Sequence, residues 1–244
     1  MKSDQVDYNF QQDAWYSPKL IIILFNKLFR KYGSNIYKSQ FKRALEMFNA
    51  AIALLGVYEL DEGNKYWLQS NNQTSSPDVM AVQEAEIPGE KVTLMISQME
   101  MVEFQQNYPN NNIIDFLKHT KLSPHKAYDD KTLIVVMINR KVQLNRAIIA
   151  TELQKLKPRS TIYILGKILE KPASWFMIFS PYPRPTTVVQ FDFSKTAQKY
   201  SIPDNIRLFK GANDKIVYVK GEKEIIKLSN VFSFDEKKVE KYSI

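Results

Sequence analysis

Residues 132–138 read Thr-Leu-Ile-Val-Val-Met-Ile, an almost wholly apolar run rich in β-branched side chains. A strand with one wet face alternates apolar and polar residues, so a strand without alternation has to be covered on both faces. Thr161 to Leu165 is a second run of this kind. Between them, Asn145 to Leu156 reads as a helix, ended before Pro158 because proline disfavours helical backbone in the residue that precedes it. Buried strands alternating with helices predict an α/β fold with a central mixed sheet flanked by helices.

The rest of the chain fits around that layer. Ser17-Pro18 followed by KLIIILFNKLFRKY and Gly33 predicts a helix, with Ser as N-cap, Pro in the first turn and Gly at the stop. A second helix is predicted from about residue 35 to Leu55, ended by Gly56, with Phe41, Ala44, Leu45, Phe48, Ile52 and Leu55 as its apolar stripe. The period then changes to 2. Strands are predicted at 57–60, 65–69, 78–82 and 92–104, with turns at Asp61 to Asn64 and Pro88-Gly89. Asn112 to Leu122 predicts a helix, and strands are expected at 175–180 and 187–193 around the turn PYPRP. Short strands at 206–210, 215–220 and 224–228 form either a small β appendage or an extension of the main sheet. The expected division is 1–34 as an N-terminal helical segment, 35–195 as an α/β core and 196–244 as a β-rich C-terminal extension.

Charge points to a partner class. The net charge is +8, with 10 Lys/Arg against 12 Asp/Glu in residues 1–100 and 24 against 14 in residues 101–244. A basic C-terminal half suits a polyanion, nucleic acid before an anionic membrane surface. The absence of cysteine excludes disulfides, thiolate metal sites and a Cys nucleophile, and it accords with a cytoplasmic location. The N-terminus MKSDQVDYNFQQDAWY lacks the pattern of a secretory signal, and no apolar run approaches the length needed to span a bilayer. No Walker A loop, dinucleotide glycine fingerprint, G-x-S-x-G elbow or H-E-x-x-H occurs, which excludes most nucleotide-binding enzymes and most Ser hydrolases.

The constellation with chemical potential begins at Ser75-Ser76-Pro77-Asp78. After a hairpin comes Gln98-Met99-Glu100 on the long strand. Alternation along a strand places Gln98 and Glu100 on one face and Met99 on the other. This arrangement resembles the PD-(D/E)xK nuclease superfamily, the restriction-endonuclease-like fold. The resemblance covers roughly residues 36–170 and includes the order helix, strand, Pro-Asp strand, acidic strand, helix, buried strand. It implies a metal-dependent DNA endonuclease in which Asp78 and Glu100 bind Mg²⁺ (or Mn²⁺), and Asp78, Gln98 and Glu100 form the catalytic set.

The sequence departs from the family pattern in having no Lys two residues after the acid. In one register Gln98 takes the acid position and Glu100 replaces the Lys; this is the preferred reading. In the other, Glu100 is the acid, Val102 stands where Lys belongs, and a basic group comes from elsewhere, with Lys118 on the next helix as the candidate.

Contacts to the nucleic-acid backbone are expected from Lys118, Lys121, Arg140 and Lys141, with Tyr182 and Arg184 as possible stacking residues. Glu46 lies almost opposite the apolar stripe of its helix and reads as an ordinary surface residue. His119 and His125 read as part of a basic surface. DNA is the expected partner, together with a homodimer or a second subunit and without a membrane. Two rival readings remain: a catalytically inactive nucleic-acid-binding module of the same fold, and a protein–protein interaction subunit.

Overall fold

A computed structural model describes residues 14–70, 77–85, 93–123, 125–126, 128–210, 216–220, 224–226 and 240–241. Ser75, Ser76, the Pro88-Gly89 turn and the glycine turns at 211 and 221 lie outside them.

The fold is α/β, built on one large mixed sheet flanked by helices. Its strands are β1 (Ala14–Tyr16), β2 (Tyr66–Ser70), β3 (Val79–Ala85), β4 (Thr93–Gln105), β5 (Thr132–Asn139), β6 (Thr161–Lys167), β7 (Trp175–Tyr182), β8 (Val189–Asp192), β9 (Asn205–Lys210), β10 (Ile216–Lys220), β11 (Glu224–Ile226) and β12 (Glu240–Lys241). The order across the sheet is β11-β10-β9-β1-β2-β3-β4-β5-β6-β7-β8, with β12 also against β9. β4, β5 and β6 run parallel, and the other neighbours are antiparallel.

Helices α1 (Pro18–Tyr32), α2 (Lys42–Leu60) and α5 (Phe193–Lys199) contribute to the core on one face; α3 (Ile113–Thr120) and α4 (Arg146–Leu156) contribute to the core on the other. β5 shows why its sequence is unbroken. Val135 and Met137 enter the first core, while Ile134 and Val136 enter the second.

α1 has the expected ends. Ser17 Oγ accepts from Leu20 N at 3.1 Å, and Gly33 closes the helix at φ 56°, where a side chain would be strained. α2 differs from expectation. It runs through Gly56 to Leu60 and absorbs the predicted strand at 57–60. Gly56 is there for close packing, because an added Cβ would lie 2.9 Å from Ile178 and from the Phe191 ring. β1 and α5 were not anticipated; β1 is three residues long, and α5 begins where a strand was expected to end.

The three expected segments share one core. Ile21, Leu54, Val135 and Tyr200 all belong to the same cluster. β1 lies between β2 and β9, so β9 to β11 continue the main sheet. No helix among the described residues is long and apolar enough to cross a membrane.

Candidate active site

Four elements meet at one end of the sheet. β3 starts there at Val79 and β5 at Thr132, α2 begins there, and α3 ends there. Asp78 immediately precedes β3, and its N–H donates to the Met99 carbonyl at 3.1 Å. Its carboxylate Oδ2 accepts from Met101 N at 2.8 Å, which locks the side chain against β4 beside Glu100.

Glu100 is on the β4 face that carries Phe104, the face toward α3, whereas Met99 points into the opposite core. It is 2% exposed, an expensive place for a carboxylate without partners. Lys121, just past the end of α3, supplies one: its ammonium hydrogen-bonds Glu100 Oε2 and stands 3.7 Å from Asp78 Oδ2. Tyr128 OH donates to the same Glu100 oxygen at 3.2 Å. Burial first, and then the Glu100 charge, raise the Tyr128 phenol well above its ordinary range.

Glu46 completes the group from the other side. Its side chain is 17% exposed and pairs with Lys42 at 3.2 Å. Burial raises its pKa, and the neighbouring charge of Asp78 raises it further, while Lys42 and Lys121 act in the opposite sense. It is therefore a partly buried neighbour of Asp78, and the reading of it as an ordinary surface residue is corrected. That reading took Phe41, Ala44, Leu45, Phe48, Ile52 and Leu55 as the whole buried stripe of α2 and left out the alanines on the Glu46 side. Ala50 and Ala53, one and two turns beyond Glu46 on its own side, are also fully buried.

The structure thus brings Asp78, just before β3, together with Glu100 on the adjacent β4. Gln98 precedes Glu100 by two residues on the same face, opposite Met80 of β3. The basic group beside the acids is Lys121, a residue whose sequence context points to the DNA backbone. Lys118, the residue proposed for that place, is exposed and acts electrostatically on Glu152 of α4. A signal for Lys121 was present. At about 100° per residue it falls between Leu117 and Ile114 on the apolar stripe of α3, an unusual place for a lysine.

Arg140 is also engaged within the protein. Its guanidinium donates to the carbonyls of Gln105, Tyr108 and Asn110 and to the Asn111 side chain, and it lies 4.7 Å over the Phe104 ring. It holds the β4–α3 loop, so a phosphate would have to displace these bonds to reach it. Lys141 is exposed on the loop before α4. His119 Nδ1 lies 2.6 Å from the Asp115 carbonyl, His125 is exposed, Tyr182 packs against the second core and Arg184 is exposed.

Asp78 and Glu100 are hard oxygen donors. Two carboxylates match the set Mg²⁺ or Mn²⁺ takes when substrate phosphate and water fill the other positions, so the donor chemistry fits such an ion. Among the described residues, no group of three or more His, Asp and Glu side chains is arranged to hold a metal by itself. A cleft of about 860 Å³ beside the start of α4 is a poorer candidate. Arg146 is the one ionisable residue in its lining, and that side chain already donates to the Thr186 carbonyl at 3.2 Å.

Comparison with protein-family models, with curated proteins and with solved structures finds no match to this chain.

Proposed function

We propose that the protein is a metal-dependent DNA endonuclease, hydrolysing phosphodiester bonds at Asp78, Glu100 and Lys121. The supporting observation is the convergence of these three charges from three separate elements at a largely buried sheet end. Apolar residues of similar volume would stabilise such a position as well as an ion pair does or better, so the pair's stability contribution does not account for it.

Asp78 and Glu100 are the residues that hold the divalent ion in this reading. When bound, such an ion polarises the scissile phosphate and acidifies water to make a nucleophile. Met101 N fixes the Asp78 carboxylate, and Tyr128 orients that of Glu100. Lys121 carries the positive charge suited to the charge that develops on the phosphate oxygens. This assignment uses the register in which Glu100 is the acid and the lysine comes from the following helix. Asp78 accepts from the amide of the residue after Glu100 and lies in one ion-pair group with it; Gln98 is one strand repeat further away.

The same ion pair favours a second reading. With its ammonium on both carboxylates, Lys121 neutralises the acids, as it would in a nucleic-acid-binding module of this fold without activity. Cleavage of supercoiled plasmid and linear DNA with Mg²⁺ or Mn²⁺ separates the two. Metal-dependent cutting that is lost in Asp78→Ala and Glu100→Ala is the expected result. Intact DNA that is nevertheless shifted on a gel would leave the binding module.

A further inference from the structure

The first hundred residues are nearly neutral in sum, and that sum conceals a segregation. Between residues 14 and 43 there is no acidic residue at all. Six cations fall within 27–43: Lys27, Arg30, Lys31, Lys38, Lys42 and Arg43. The fold gathers them at one corner. α1 and α2 form a helical hairpin closed by 3-10 turns at 33–37 and 39–41, and the end of α1 lies against the start of α2. The Tyr32 and Phe41 rings are 4.9 Å apart across that closure, and Phe25 stacks on Phe48 at 4.0 Å two turns further in.

Phe25, Ile36, Phe41 and Ala44 close the corner from inside and are buried. Five of the six cations face outward, with Lys27, Arg30, Lys31, Lys38 and Lys42 exposed, while Arg43 is half-buried. Two aromatic side chains stand among them, Phe29 and Tyr37, the latter 67% exposed. A basic surface interleaved with exposed aromatics suits nucleic acid, because the cations meet phosphates and the rings offer stacking faces.

The corner also adjoins the candidate site. Lys42 pairs with Glu46, and Glu46 is within electrostatic reach of Asp78 and Lys121. We infer that the corner of the α1–α2 hairpin is the surface that holds the DNA phosphate backbone next to Asp78 and Glu100. This inference rests on the nuclease reading for its choice of DNA, and it moves the principal DNA contact away from the C-terminal half, where net charge alone placed it.

The test is DNA affinity measured against salt concentration in EDTA, so that cleavage does not enter. The variant carries Lys27→Gln, Arg30→Gln and Lys31→Gln, all exposed helix positions where substitution leaves stability nearly unchanged. A matched control carries Lys157→Gln, Arg159→Gln and Lys167→Gln, exposed positions of the C-terminal half. Each lost phosphate contact removes about one unit from the slope of log K against log salt, so the hairpin variant should lose about three units and weaken uniformly across sequences. The control should keep the wild-type slope.

Equal slopes for the hairpin variant and wild type would overturn the inference, as would loss confined to the control. Binding to phosphatidylserine vesicles without binding to DNA would overturn it too and identify the corner as a membrane-facing surface. The two readings fail separately. DNA cleavage by wild type with an unchanged hairpin variant sinks only the surface, whereas hairpin-dependent binding without any cleavage sinks only the nuclease.

Discussion

Lys121→Met tests whether the acid pair is buried in the energetic sense. Glu100 is 2% exposed, and Lys121 is its hydrogen-bonded cationic partner, itself 11% exposed. Removing one partner of a buried pair costs about 3–5 kcal/mol, since the remaining charge is left without compensation. Two features of this site favour the lower end. Tyr128 still donates to Glu100, and Asp78 at the mouth is 22% exposed, so water reaches the group. A loss of about 3 kcal/mol corresponds to a fall in Tm of roughly 6–12 °C for a chain of this size. Thermal and urea unfolding at pH 7, followed by circular dichroism, give the number. The double variant Glu100→Gln/Lys121→Met should recover most of the loss, because it removes the stranded charge and leaves Met on the apolar stripe of α3. A single-variant loss below about 0.5 kcal/mol, the size of an exposed pair, would refute the argument. So would a double variant that is less stable than the single.

Glu46→Gln should change how stability depends on pH. A raised pKa means that the folded chain binds the Glu46 proton more tightly than the unfolded chain does. This carboxyl therefore favours folding at acid pH and loses that contribution as pH rises through its folded value. Relative to wild type, the Gln variant should gain stability between pH 4 and pH 7 in urea titrations, and a pH-independent difference would count against the burial of Glu46. Gly56→Ala gains up to about 1 kcal/mol of helix propensity but overpacks Ile178 and Phe191 at a cost of about 1–3 kcal/mol, so its Tm should fall; a rise would show that the helix–sheet contact yields. Arg140→Ala frees the Gln105, Tyr108 and Asn110 carbonyls and should destabilise the fold by roughly 2–3 kcal/mol while leaving the salt slope of DNA binding as it was. A normal Tm with a reduced slope would instead make Arg140 a phosphate contact.

Local order and burial were determined by the sequence itself. The period of apolar residues located α1, β4, α3, β5, α4 and β6 within a few residues, because burial on one side or on both leaves its own pattern in the chain. The alternation through Gln98-Met99-Glu100 also placed the acid and the core methionine on opposite faces of β4. Tertiary structure decided what depends on distance between elements. Gly56 has the composition of a helix stop, and only the nearness of Ile178 and Phe191 makes it a packing site. Lys118 and Lys121 are one turn apart, and the seating of Ile114 and Leu117 in the core determines that Lys121 reaches Glu100 while Lys118 stays exposed. Glu46 approaches Asp78 because the small face of α2, with Ala50 and Ala53, lets the helix lie close to the sheet. The six cations at 27–43 vanish in a sum over a hundred residues, and a hairpin fold gathers them into one charged corner. Periodicity records which way a side chain faces along its own element; which other element it meets there is set by how the two elements pack.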